Sequence, residues 1–234
     1  MVKTKKLFLF SIFIILFFQA CKKEEVLFEK IEPSHSNLNF SNELNPNSEL
    51  NIFNYLYYYN GGGVAAGDYN QDGLIDLYFT SNEQGDKLFL NSGNFKFKEI
   101  TSVSQIDNSQ GWTTGVSNID INGDGLLDLY ICKVSGFLNL EGHNLLYINQ
   151  GPNEEGIPIF EEQSAKYGLD FSGFSTQAVF LDYDQDGDLD MFLLNHSVHP
   201  NRNYGRGGKR QSYDPKSGDR LYRNDNGFFY RCFF

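Results

Sequence analysis

The sequence predicts an all-β chain made of about three four-stranded antiparallel blades of an incomplete β-propeller. Three observations carry this. A nine-residue acidic segment recurs, as D-Y-N-Q-D-G-L-I-D from Asp68, D-I-N-G-D-G-L-L-D from Asp120 and D-Y-D-Q-D-G-D-L-D from Asp182, with starts 52 and 62 residues apart. Each copy follows a short run of small and apolar residues and precedes an almost continuous apolar run (L-Y-F-T, L-Y-I-C, M-F-L-L). A second landmark then repeats in register, at Leu88-Phe89-Leu90-Asn91, Leu146-Tyr147-Ile148-Asn149 and Leu221-Tyr222-Arg223-Asn224, each followed by a glycine and another apolar run.

From the N-terminus, M-V-K-T-K-K and the apolar run from Leu7 to Phe18 read as the basic and hydrophobic regions of an export signal, too short to span a bilayer comfortably. Gln19-Ala20-Cys21 resembles the lipobox of bacterial lipoproteins, which makes residues 1–20 the signal peptide and Cys21 the lipidated residue. Lys22-Lys23-Glu24-Glu25 looks like the charged export tag of Bacteroidetes-type lipoproteins, so the expected location is the outer membrane or cell surface of a Gram-negative, Bacteroidetes-like bacterium. Residues 21–50, rich in Asn, Ser and Glu, read as a polar tether.

The repeats then occupy residues 51–234, with blades over about 60–105, 112–165 and 174–234. In each unit the run before the acidic segment and the run after it are strands buried on both faces. The L-x-x-N run and the apolar run past its glycine supply the third and fourth strands, joined by a tight turn. Four strands in about 50 residues is the size of a propeller blade. Trp112 and the aromatics of Phe53–Tyr59 read as core or strand residues. Loop length varies at one place: the first loop aspartate and the third-strand leucine stand 20, 26 and 39 residues apart, so insertions collect on one face of the array, the face that binds in many repeat proteins. The sequence ends in N-D-N-G-F-F-Y-R-C-F-F, inside the last strand of the third blade, and propellers close with four or more blades, so the expectation is a fragment of a longer array.

Composition narrows the function. The chain has 234 residues and a formal charge of −11, and without the three lysines of residues 1–20 it carries 16 basic against 30 acidic side chains, or −14. A body this acidic repels phosphate backbones, which excludes nucleic acid as a partner, and it gains from bound cations. Cys132 and Cys232 are too few for a disulfide framework, and Cys132 reads as a small core residue.

Numbered from its first aspartate, each acidic loop has carboxylates or amides at positions 1, 3, 5 and 9 and glycine at position 6. Alternate side-chain oxygens converge, the carbonyl of position 7 adds another, and the glycine permits the sharp turn, which is the donor set of a hard divalent cation. Oxygen-only ligands favour calcium over zinc or copper, and magnesium prefers fewer protein ligands. The EF-hand pattern fails at position 12, where Phe79, Ile131 and Leu193 replace the bidentate glutamate, so Asp76, Asp128 and Asp190 must close the sites. A single D-x-N-x-D-G is also an ordinary solvated turn. Three copies that keep position 9 tip the balance toward metal.

The pattern D-x-[DN]-x-D-G-x-x-D between two strands, repeated at blade spacing, resembles the FG-GAP or VCBS repeats of integrin-type β-propellers over about residues 51–230. G-G-G-V-A-A-G-D-Y-N-Q-D-G-L-I-D-L-Y-F further resembles the N-terminal part of large secreted proteins in which the propeller precedes an ASPIC/UnbV domain. The resemblance implies up to three Ca²⁺ ions, held by Asp68, Asn70, Asp72, the Leu74 carbonyl and Asp76; by Asp120, Asn122, Asp124, the Leu126 carbonyl and Asp128; and by Asp182, Asp184, Asp186, the Asp188 carbonyl and Asp190. The third loop, with aspartate in place of asparagine at position 3, should bind most tightly, and affinities of roughly 10⁻⁴ to 10⁻³ M suit extracellular modules.

Outside the loops, His143 is a lone histidine, while His196 and His199 with Arg202, Arg206, Lys209 and Arg210 mark a candidate ligand-binding insert. No H-E-x-x-H, G-x-S-x-G or phosphate loop accompanies the histidines, so no catalytic residue is assigned. The expected function is a calcium-binding module of an exported, lipid-anchored surface protein that adheres to a protein or glycan and touches the membrane through its lipid only. The alternatives are an accessory domain of a polysaccharide-acting enzyme and a structural spacer.

Overall fold

A computed structural model describes residues 27–107, 111–198 and 214–232. The export signal, Cys21, His199, Arg202, Arg206, Lys209 and Arg210 lie outside these ranges. The chain divides into a unit of residues 1–32 and a unit of residues 33–234. In the first, Lys30 and Glu32 pair at 3.0 Å on the surface. Among the described residues no helix is long and apolar enough to cross a membrane.

The second unit is nearly all β. Its first sheet runs β1 (Val64–Gly67), β2 (Asp76–Phe79), β3 (Lys87–Asn91), β4 (Phe97–Glu99); its second β5 (Trp112–Ile119), β6 (Asp128–Val134), β7 (Leu145–Pro152), β8 (Pro158–Glu162); its third β9 (Ser175–Leu181), β10 (Asp190–Asn195), β11 (Arg220–Asp225), β12 (Phe228–Arg231). Each sheet is antiparallel with its strands in chain order. Among its described residues there are also two single-turn helices, α1 (Pro33–Ser36) and α2 (Ser164–Tyr167).

Alternation decides which face meets which neighbour. In β6 every residue is buried: Leu129 and Ile131 join the cluster shared with the first sheet, Tyr130 and Cys132 the one shared with the third. Burial on both faces therefore holds for β6. In β10 it does not, because Met191 and Leu193 are buried against the second sheet while Phe192 and Leu194 stand 38% and 43% exposed. Val179, Leu181 and Tyr230 are also exposed on that outward face of the third sheet, while the Phe228 ring, 39% exposed, lies against Gly168.

The inner strands β1, β5 and β9 lie side by side, stitched by side chains onto neighbouring backbones. Thr114 Oγ1 donates to the Ser175 carbonyl at 2.9 Å, Ser117 Oγ to Ala178 at 2.6 Å, and Asn118 Nδ2 to Ala66 at 2.9 Å. This closeness needs glycine: a Cβ on Gly115 would overlap the Thr176 carbonyl and Gln177 Oε1.

Two segments differ from their sequence reading. Inside the stretch read as a tether, Phe40 stacks on Phe79 of the first sheet at 4.9 Å, Asn42 accepts from the Asn82 amide, and Leu50 is buried in a cluster with Tyr55, Tyr58 and Trp112. Asparagine side chains there satisfy backbone groups of the loops: Asn42 takes the Asn82 amide just past β2, and Asn47 takes the Glu49 and Leu50 amides of its own segment. The aromatic run Phe53–Tyr59, read as core or strand, supplies core residues from turns rather than from a strand. Tyr55 and Tyr58 are buried beside Trp112, at 5.5 and 5.4 Å between ring centres, whereas Phe53 is exposed.

Gly115→Ala is expected to destabilise the fold by about 2–3 kcal/mol through forced overlap. Gly123→Ala, where φ is +72° but no atom lies within 4 Å, should lose about 1 kcal/mol. Urea unfolding of both variants measures the difference, and equal losses would contradict close approach of β5 and β9.

Candidate metal centre

Each acidic loop connects the first two strands of its sheet, and all three are tied alike. The position-1 aspartate accepts the amides of positions 5 and 6: Asp68 from Asp72 and Gly73, Asp120 from Asp124 and Gly125, Asp182 from Asp186 and Gly187, at 2.8–3.2 Å. The position-5 aspartate accepts the amide of position 7, Asp72 from Leu74, Asp124 from Leu126 and Asp186 from Asp188. The glycines at position 6 take φ of +87°, +87° and +99°. Position 4 is also left-handed, at Gln71, Gly123 and Gln185, a requirement only the second copy discloses by a glycine.

Position 9 joins the loop to the sheet. Asp76, Asp128 and Asp190 have no exposed surface. Their Oδ2 atoms accept from the Tyr69, Ile121 and Tyr183 amides at 3.1, 3.0 and 3.0 Å, and their Oδ1 atoms from the Asn91, Asn149 and Asn224 amides of the third strand, each at 2.8 Å. The side chains of those asparagines turn back on the loop and donate to the carbonyls of Ile75, Leu127 and Leu189. Burial, opposed by the two backbone donors and reinforced by the charges at positions 1 and 5, pushes the carboxyls of Asp76 and Asp128 up to about 6.

Position 3 separates the loops. Asn70 and Asn122 donate through Nδ2 to Asp72 Oδ2 and Asp124 Oδ2, at 3.1 and 2.8 Å. Asp184 has no such donor. Although the residue is exposed, local desolvation within the loop and the neighbouring Asp186 and Asp190 charges raise its pKa. Among the described residues, Asp182, Asp184 and Asp190 are the only cluster of acidic, histidine or cysteine side chains whose oxygens fall within 4.8 Å of one another, and that cluster could hold a metal ion. Positions 1, 3 and 9 thus converge, while Asp186 turns one oxygen to its own backbone. The Leu74, Leu126 and Asp188 carbonyls lie in the same turns. Hard oxygen donors without nitrogen or sulfur fit a cation such as calcium.

Residues 68–131, from the first acidic loop through the second, match a family model described as FG-GAP-like repeat. This segment is similar to an FG-GAP-like repeat. The chain is 27% identical over 200 residues to cartilage acidic protein 1 of Homo sapiens and 25% identical over 203 residues to that of Xenopus tropicalis. These alignments cover 74% and 75% of the chain but only 29% and 30% of the relatives, so it spans under a third of their length.

The other residues singled out by the sequence lie away from the acidic loops. His143 is exposed. His196 follows β10, at the far end of the third sheet from its loop, with its Nε2 2.9 Å from the Tyr55 hydroxyl and its Nδ1 3.1 Å from Thr176 Oγ1. Burial lowers its pKa to about 4.

At that far end a second recurring device escaped the sequence reading. Asp86, Asn144 and Asp219 accept the amides of Ser81, Lys133 and Asn195, just past or at the ends of β2, β6 and β10, at 2.8–2.9 Å. Its signal was an Asp or Asn two residues before each third-strand leucine. Asp86, 2% exposed, also accepts from the Tyr78 hydroxyl at 2.9 Å. Burial pushes its pKa up to about 7, against those donors and the Lys133 charge.

A carboxyl whose folded pKa exceeds its free value stabilises the fold at low pH and loses that contribution as pH rises through the folded value. Asp86 should therefore favour folding below the ordinary 3.8 and lose this by about pH 7. Asp86→Asn, which copies Asn144, is expected to fold and to unfold at a midpoint that declines less over that window than the wild type, as followed by thermal melts in chelator. Parallel curves would contradict the assignment.

Proposed function

We propose that the chain is a calcium-stabilised binding module of an exported, lipid-anchored surface protein, with no chemistry of its own. The observation that carries the reading is the third loop, where Asp182, Asp184 and Asp190 bring oxygens within 4.8 Å and position 3 has exchanged a neutral donor for a charge. Carboxylates so gathered repel one another, and a divalent cation replaces the missing proton donors with a stronger attraction. The same loop frame occurs three times, so up to three ions are expected, the third loop binding most tightly. The ion's role is structural: it fixes the turn from which the second strand starts.

The match to the FG-GAP-like repeat and the partial likeness to cartilage acidic protein 1 favour an extracellular adhesive role over an enzymatic one. His196 is committed to Tyr55 and Thr176, which suits a histidine that orders a surface rather than one that moves protons. Adhesion to a protein or glycan is the proposed outcome, with the membrane contacted through lipid at Cys21 alone.

Calcium in the millimolar range is expected to raise the unfolding midpoint by roughly 3–10 °C for each occupied site, and a chelator to reverse it. Asp184→Ala and Asp186→Ala should each remove part of the shift, the former more. Differential scanning calorimetry with and without chelator provides the measurement. No response to calcium would overturn the metal reading.

A further inference from the structure

Opposite the acidic loops, at the starts of β5 and β9 and the end of β10, lies an open cavity of about 880 Å³ whose described lining contains no Asp, Glu, Lys or Arg. That is unusual for a chain with 30 acidic and 19 basic residues. The volume falls within the range of small-molecule sites. Tyr55, Tyr57 and Tyr59 from the turn before β1 form one wall; Thr176, Gln177 and Asn195 bring hydroxyl and amide groups from the third sheet. Tyr57 packs against His196 at 4.2 Å between ring centres, and Tyr59 is 61% exposed.

Asn195 supplies an independent pointer. It is 8% exposed and lines the cavity; its Nδ2 donates to the Gly218 carbonyl at 2.7 Å, yet its Oδ1 has no hydrogen-bond partner. A buried acceptor left unpaired is costly, and a ligand hydroxyl that reached it from the cavity would satisfy it. The position is a free choice of the sequence, since its counterparts at the ends of β2 and β6 are Ser81 and Lys133. The inserts that vary in length between copies also leave from this end of the sheets.

We propose that this cavity binds a residue of a neutral saccharide, stacked on the tyrosine wall with its hydroxyls on the uncharged polar side chains. Sugar rings present an apolar C–H face and a polar rim, which matches flat rings opposite amides and hydroxyls. An acidic glycan would find no cationic partner among the described lining residues. A purely apolar ligand would bury the amides of Asn195 and Gln177 without partners. His196, held neutral by its burial, adds no charge at working pH. The proposal deepens the reading of a binding module, naming the ligand class, and is independent of the proposed ions, whose loops lie at the other ends of the strands.

The test is calorimetry and saturation-transfer NMR of the full chain against maltotetraose, cellotetraose, laminaritetraose and chitotetraose, with sialyllactose, a sulfated heparin tetrasaccharide and a neutral tetrapeptide as contrasts. At least one neutral sugar should bind, with binding weakened about tenfold by Tyr57→Ala and by Tyr59→Ala. Asn195→Ser, the residue found at position 81, should weaken it too while leaving the calcium melting shift in place. Binding by none of the neutral sugars, by only the charged sugars or the peptide, or unchanged in all three variants would overturn the proposal. Repetition in chelator separates the two readings: sugar binding without a calcium response sinks only the metal, and a calcium response without sugar binding sinks only the cavity.

Discussion

The structure depends on a buried carboxylate that holds two amides at once. In each sheet the last aspartate of the acidic loop is fully buried at the start of the second strand, with one oxygen on the loop's second residue and the other on the third strand. A carboxylate is the one side chain that can accept from both without a donor of its own to satisfy. Its burial costs solvation, repaid only while both amides stay in place, so the loop, the second strand and the third strand form together or not at all.

That constraint sets the spacing of the sheets as well. The loops are neighbours at one end of the array, where Gln71 Nε2 donates to the Gly125 carbonyl at 3.0 Å and Asn149 Nδ2 to the Tyr69 carbonyl at 2.8 Å, so a turn of one sheet rests on the next. Side-chain alternation then carries the packing outward. Tyr78 of the first sheet faces the second, Tyr130 of the second faces the third, and Phe192, their counterpart, faces outward with Val179 and Tyr230. The third sheet thus presents the kind of surface that the first two bury against a following sheet. The far end differs: with ring stacks, uncharged amides and variable inserts, it is where specificity is free to differ between copies.

The three sheets, their antiparallel order and the loop frame were legible because they rest on local signals that recur, namely alternate acidic residues, glycine at position 6 and the L-x-x-N landmark. Asn91, Asn149 and Asn224 were visible as a pattern, but their role was not, since it depends on a carboxylate 15, 21 and 34 residues earlier in the chain. The packing of Phe40 and Leu50 was hidden because a segment rich in asparagine reads as solvated when its partners lie beyond view. Burial on both faces, expected of every inner run, holds for β6 alone among the second strands, because a strand's own sequence does not say whether a neighbour covers it. The convergence of Asp182, Asp184 and Asp190, with Asp186 turned aside, required coordinates: at alternate positions all of these look equivalent.

The most direct test of the central claim is native-state hydrogen exchange on Asp128→Ala in calcium-free buffer. The account predicts that the Ile121 and Asn149 amides lose protection together while Tyr69 and Asn91, held by Asp76, keep theirs. Protection of Ile121 and Asn149 that matched the wild type, or that fell at only one of the two, would contradict it.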